Sequence, residues 1–283
     1  MKVAMIGAGG WGTAMMISLA ARHDDLFMYC RNPQTAQEIQ KSRENKNYLP
    51  GCRIPLHVKI TSSLETAVKG AGCVILCTPS HAVEAMAESL VPWLEKDTVV
   101  VCASKGLADH AGHRLSEVIT DKVKDITKKI VVLSGPNHAE EVGRGLPCAT
   151  VAASEVPEAV QVVQDLFMSP VFRVYRSDDI KGVEYGGALK NIMALACGVL
   201  DGIGLGDNSR AALMTRPLRR TFRRTDDDLL RPFRDGRSCL HLHICPQPQP
   251  YRRYDDGRRQ DSEGDHGRHE HDRGRDPHSS SGA

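Results

Sequence analysis

An α/β fold of the Rossmann type, a doubly wound parallel sheet, is predicted from three observations. A short apolar run leads into Gly7-x-Gly9-x-x-Gly12 and then into a helical pattern. Apolar runs that end in glycine or proline turns alternate with amphipathic stretches as far as residue 180. Beyond that point the alternation gives way to long helical patterns. The expected organisation is a nucleotide-binding sheet domain over residues 1–180 and the start of a truncated helical second domain over 181–216. A tail over 217–283 has the composition of a disordered segment.

Taken in order, residues 2–6 form the first buried strand and residues 13–21 the first helix. Between them Gly7 makes the tight turn, Gly9 lets backbone approach a pyrophosphate, and Gly12 lets helix and strand pack closely. The pyrophosphate would sit on the free N–H groups at the positive end of that helix, which makes a dinucleotide the expected ligand. Residues 26–30 are a second strand, followed by Arg31 and Asn32. At this strand end an acidic residue hydrogen-bonds the adenine ribose, whereas an arginine accommodates a 2′-phosphate. Arg31 therefore favours NADPH, with NAD the alternative.

Residues 45–53 read as a loop with Pro50-Gly51 as turn punctuation. Strands follow at 72–77, 98–102 and 130–133, with an amphipathic helix over 81–94. Their strand ends carry Thr78-Pro79-Ser80, Ser104-Lys105-Gly106 and the stretch from Ser134 to Glu140. Ligands of such sheets bind beyond the carboxyl ends of the strands, so Lys105 and the 135–139 turn converge on the cofactor crevice. Two further short strands, 147–153 and 171–175, enclose a helix at 157–168. A long helix over 178–201 carries Gly186-Gly187-Ala188 and Lys190; another begins at 208–216 and is interrupted by Pro217.

Composition bounds the rest. The chain has 283 residues and a formal net charge of +2, which gives no electrostatic reason to expect a nucleic-acid partner. Nine cysteines without framework spacing point to free thiols and a cytoplasmic location. No stretch is apolar and long enough for membrane insertion, and Met1 leads directly into a strand, leaving no room for a signal peptide.

The stretches GAGGWGTA (7–14), RENKNYLPG (43–51), ASKGL (103–107), SGPNHAEEVGRGLP (134–147), FRVYRSDD (172–179) and the run from Val183 to Arg216 resemble the bacterial NAD(P)-dependent sn-glycerol-3-phosphate dehydrogenases. The resemblance covers residues 1–216 in order. It implies hydride transfer between a nicotinamide and C2 of dihydroxyacetone phosphate, giving sn-glycerol 3-phosphate for phospholipid synthesis. Carried over by position, Gly10 and Trp11 contact the pyrophosphate region, Arg31 and Tyr48 the adenosine side, and Ala139 the nicotinamide pocket. Lys105, Gly135 and Asn137 face the phosphorylated substrate, with Lys105 also beside the cofactor, and Lys190 is the catalytic acid–base. Ketone reduction leaves an alkoxide that needs a proton, which a lysine shifted down by burial or cationic neighbours can supply. His138 reads as structural. A homodimer is left open, and the rival readings are a non-catalytic nucleotide-binding remnant or another dehydrogenase with a helical second domain.

The resemblance stops near Arg216. From Pro217 to Gly282 there is no Lys, Val, Ala, Met or Asn, while Arg, Asp, His and Pro crowd in. The family's next segments, a G-D-L string with a substrate-facing aspartate and an S-R-N-R string that binds phosphate and cofactor, do not occur. Arg and Asp are mixed in the tail, which weakens a nucleic-acid arm. Its histidines (His266, His269, His271, His278) lack closed zinc spacing with Cys239 and Cys245, so no metal is expected. Back-translated and read from the second base of each codon, PFRDGRSC (232–239) permits L-S-G-M-G-D-L-V. In the same way LHLHICPQPQP (240–250) permits F-T-C-T-S-A-R-S-R-N-R. The expectation is a frameshift near residue 216, with cofactor binding retained in weakened form and turnover lost or nearly so.

Overall fold

The computed structural model describes residues 1–108 and 112–221, and of 216–221 the backbone alone. All of these lie in one compact unit, Met1–Ser238. The frameshift, disorder and histidine-tract expectations for the tail fall beyond them, as do Cys239 and Cys245. No helix among the described residues is long and apolar enough to cross a membrane.

The chain opens with β1 (Val3–Ile6), α1 (Gly10–Ala20), β2 (Leu26–Tyr29) and α2 (Pro33–Ser42). The β2–α2 junction is specified locally. Asn32 caps the helix by accepting from the Thr35 N–H at 3.0 Å, and Pro33 occupies its first turn, where a missing N–H costs nothing. Next come β3 (Glu44–Asn45), β4 (Leu49–Arg53), β5 (Lys59–Thr61) and α3 (Leu64–Val68). They are followed by β6 (Cys73–Leu76), a 3-10 turn (Ser80–Ala82), α4 (Val83–Leu90), β7 (Val99–Cys102) and α5 (Leu115–Val123). β8 (Ile130–Ser134), α6 (Ala139–Gly143), β9 (Cys148–Ala153), α7 (Pro157–Phe167) and β10 (Phe172–Ser177) complete the sheet region. Two helices close the described chain, α8 (Ile180–Gly202) and α9 (Gly206–Thr221).

Eight strands form one sheet in the order β10-β9-β8-β7-β6-β1-β2-β5. Successive side chains of a strand face opposite sides, so each central strand feeds two cores. Val3 and Met5 join Met15, Leu19, Val163 and Phe167 of α1 and α7; Ala4 and Ile6 join Val68, Val83, Leu90 and Ile119 of α3, α4 and α5. The chain runs outward from β1 to β2 and β5, then returns to β6 on the other side of β1. This reversal opens a crevice at the carboxyl ends of β1 and β6, the usual ligand site of such sheets.

Four expectations need correction. The sheet is not wholly parallel: β9 runs antiparallel to β8, with Ser134 opposite Val151. The 135–147 connection turns at the carboxyl end and stays there, so the chain re-enters the sheet from the end at which it left. The expected loop over 45–53 is instead an antiparallel hairpin of β3 and β4. Leu49 and Cys52 are buried in the core while Pro50 and Gly51 are exposed, and Gly51, within β4 rather than in the turn, takes a positive φ of +77° that suits glycine. The helix expected over 81–94 is shorter and is preceded by a separate 3-10 turn. Finally, α9 runs through Pro217, which removes one backbone donor without ending the helix.

Candidate active site

In the glycine-rich loop, backbone packing explains Gly7 and Gly12 directly. Gly7 has φ +121°, and a Cβ there would lie 2.7 Å from the Cys77 carbonyl oxygen on the neighbouring strand. A Cβ on Gly12 would lie 2.2 Å from the Gly7 carbonyl oxygen, so helix and strand close only around glycine. The space beside Gly9 is open, and as the N-cap residue of α1 it provides no side-chain cap for the helix. The helix N-terminus therefore presents free N–H groups and its positive dipole end to an anion. At Gly10 a Cβ would lie 2.7 Å from the Tyr48 carbonyl oxygen and 3.6 Å from the Ala139 Cβ. Its missing side chain makes room for the hairpin and α6.

Lys105 stands at the end of β7. Its ammonium donates to the Gly135 carbonyl at 2.8 Å and lies 5.8 Å from the centroid of the Trp11 ring. Burial, then the positive charge of Lys190, pulls its pKa down to about 8. Gly135 is fixed by the strand crossing beside it, because a Cβ would lie 2.7 Å from the Ala149 carbonyl oxygen and 2.9 Å from the Thr150 Cα. The antiparallel β9 thus sets that turn. Asn137 is buried with both amide atoms unpartnered among the described residues, and the Trp11 Nε1, Thr78 Oγ1 and Thr150 Oγ1 atoms are likewise unpartnered. Buried polar atoms normally find partners, so this group has the chemistry of a surface meant for a polar ligand. With the uncapped end of α1, these residues fit a dinucleotide.

Lys190 lies on α8, near enough to Lys105 for its charge to act there. That helix starts with Asp179 accepting from the Gly182 N–H at 2.8 Å, and its first turns pack tightly on the sheet. A Cβ on Gly187 would lie 2.7 Å from Ser134 Oγ, so glycine lets the helix rest on the end of β8. Lys190, three residues on, lies along the same face. Its side chain is exposed, so of the two routes expected to activate a lysine, burial is not the one that acts on Lys190.

Sequence reasoning missed two supports. Glu184 is 6% exposed and accepts from the Ser116 N–H at 2.8 Å, Ser116 Oγ at 2.5 Å and Arg114 Nη1 at 2.9 Å. This latch ties α8 to the start of α5. Asn45, 1% exposed, donates to the Ala8 carbonyl at 2.9 Å and to Thr13 Oγ1 at 2.8 Å. A charged residue at a buried helical position would have signalled the first; Asn45 sat within a recognised block but read as loop. Arg31 is exposed just beyond β2, and the Tyr48 side chain is also exposed. His138 precedes α6 as its N-cap residue without a side-chain cap bond. Among the described residues no three His, Cys, Asp or Glu side chains are grouped to hold a metal.

Comparison with known proteins agrees with this arrangement. The family model for the NAD-dependent glycerol-3-phosphate dehydrogenase N-terminus matches residues 2–160, and that for the C-terminus matches residues 179–225. A glycerol-3-phosphate dehydrogenase (NAD(P)+) of Moorella thermoacetica is 52% identical over 215 residues, covering 76% of this chain and 63% of the relative. One from Pelotomaculum thermopropionicum is 45% identical over 218 residues, covering 77% and 62%. The chain thus spans less than two thirds of the length of these relatives. The crystal structure of the Coxiella burnetii glycerol-3-phosphate dehydrogenase aligns with a TM-score of 0.72 at 31% identity, over 81% of this chain and 71% of that one. The glycine-rich crevice, the two lysines at its mouth and these matches lead to one conclusion: the chain belongs to the NAD(P)-dependent glycerol-3-phosphate dehydrogenase family.

Proposed function

We propose that this site serves reversible hydride transfer between NAD(P)H and C2 of dihydroxyacetone phosphate, giving sn-glycerol 3-phosphate. The observation that carries the reading is the pair of lysines at the sheet's carboxyl edge: Lys105 bonded to the Gly135 carbonyl, with the charge of Lys190 acting on it. When bound, the reduced nicotinamide supplies the hydride to the carbonyl carbon. Lys190 gives a proton from its ammonium to the resulting alkoxide oxygen and takes it back in the reverse direction. Lys105 neutralises the phosphorylated substrate, and Gly135 and Asn137 line the substrate. The uncapped N-terminus of α1, with Gly7, Gly9, Gly10, Trp11 and Gly12, cradles the pyrophosphate, and Ala139 lines the nicotinamide pocket. Arg31 at the ribose end favours NADPH over NADH, and Tyr48 flanks the adenosine side. A second reading assigns the proton to Lys105, because its pKa of about 8 lies nearer to neutrality. A pH–rate profile of each lysine variant separates the two.

For the chain as written we propose that residues beyond 216 are a frameshifted translation, supported by the family strings recovered from the second codon base over 232–250. Cofactor binding is then expected without efficient turnover, and the cysteine usage fits a cytoplasmic enzyme. Resequencing across the Arg216 codon tests the first point. Dihydroxyacetone-phosphate-dependent oxidation of NADPH by the frame-restored chain tests the function; no turnover by that chain would refute it.

A further inference from the structure

The β3–β4 hairpin lies against the glycine-rich loop, and one buried side chain joins the two. Asn45 directs both hydrogens of its amide nitrogen at the loop: one to the Ala8 carbonyl at 2.9 Å, the other to Thr13 Oγ1 at 2.8 Å. In a planar trans peptide the C=O and the following N–H point in opposite directions. Holding the Ala8 carbonyl on Asn45 therefore turns the Gly9 N–H away from Asn45, and the space beside Gly9 is open.

The hairpin is in turn fixed at several points. Arg43, at φ +56°, donates to the Val58 carbonyl at 2.8 Å, and Glu44 accepts from the Gly51 N–H at 2.8 Å. Leu49 and Cys52 pack on Gly143 of α6, where a Cβ would come within 3.0 Å of each. The Tyr48 carbonyl fills the space left by the missing Gly10 side chain. The hairpin is thus a rigid clasp on the loop.

We propose that Asn45 is a positioning residue for the dinucleotide pyrophosphate, acting through the Ala8–Gly9 peptide. The inference rests on dinucleotide binding at the glycine-rich loop. The two are tested apart, since failure of the unsubstituted chain to bind NADPH would remove that reading before any variant is compared.

The test measures dissociation constants of the full chain for NADPH, ADP-ribose and adenosine, by Trp fluorescence for the first and saturation-transfer NMR for the others. Asn45→Ala is expected to weaken NADPH and ADP-ribose about tenfold, the size of one lost charge-assisted hydrogen bond, and to leave adenosine unchanged. Asn45→Asp keeps the volume but replaces the donors with a carboxylate, and it is expected to do the same or worse. NADPH binding within about twofold of the unsubstituted chain overturns the proposal, as does equal weakening of all three ligands, which would indicate a general loss of structure. Failure of both variants to fold also overturns it, because Asn45 would then be a folding requirement.

Discussion

The sheet region and helix α8 are built on opposite principles. Every residue of β1, β6 and β7 is buried, and the sheet is covered on both faces by helices of its own region. On α8 only Gly182, Val183 and Glu184 are buried, while Ile192 is 61% and Leu195 72% exposed. The sheet carries its own hydrophobic core; α8 joins it only at its start, through Ile180 and Val183, a glycine contact and a buried ion pair. The cofactor half of the site therefore rests on extensive apolar burial, whereas the lysine proposed for proton transfer sits on a helix anchored only through its first turns.

That contrast can be broken at its ends. The largest effect is expected at Lys190: in the frame-restored chain proposed above, Lys190→Met should lower kcat by about a thousandfold and change NADPH affinity little. A loss confined to cofactor binding would place Lys190 in the wrong half.

Next in size is Glu184→Ala, which leaves the Arg114 guanidinium and the Ser116 N–H without their buried acceptor. About 3 kcal/mol of stability should be lost in denaturant unfolding, with faster hydrogen exchange along α8 than in β1 and β6. Uniformly faster exchange would mean that the two regions are one cooperative unit.

Within the sheet region, Gly12→Ala should cost about 2 kcal/mol, since a Cβ would sit 2.2 Å from backbone. It should also weaken NADPH by displacing α1 from the loop. An unchanged melting temperature would contradict the close approach.

The smallest effect is on pH. The folded-state pKa of Lys105, about 8, lies below the ordinary lysine value of 10.5, so between those values the unfolded chain binds the extra proton. Stability should therefore rise with pH through this window, and affinity for a phosphorylated anion should fall as pH passes about 8. Calorimetry and phosphate-ester binding across pH 7–11 check both signs; no such trend in Lys105→Met would assign them to this residue.

Much of this was legible in the chain. The β1–loop–α1 unit follows from local rules, because a buried strand, three glycines and a helix leave few ways to close a tight turn. Lys105 and Gly135 were found because strand ends of an alternating sheet converge. The reversal at β9 was hidden, since an apolar strand reads the same in either direction. Glu184 was hidden because a carboxylate in a helical stretch reads as surface until its partners on α5, nearly 70 residues away, are in place.

Sequence alone determined the fold class, the phosphate loop and the chemical groups available, because these depend on periodicity and on backbone freedoms unique to glycine. Tertiary structure decided what those groups do together. It seated Gly10 against a hairpin carbonyl, bonded Lys105 to the Gly135 turn, left Lys190 on an exposed helix and gave Asn45 a place beneath the loop. Such pairings join residues far apart in the chain, and local propensity carries no record of distance in space.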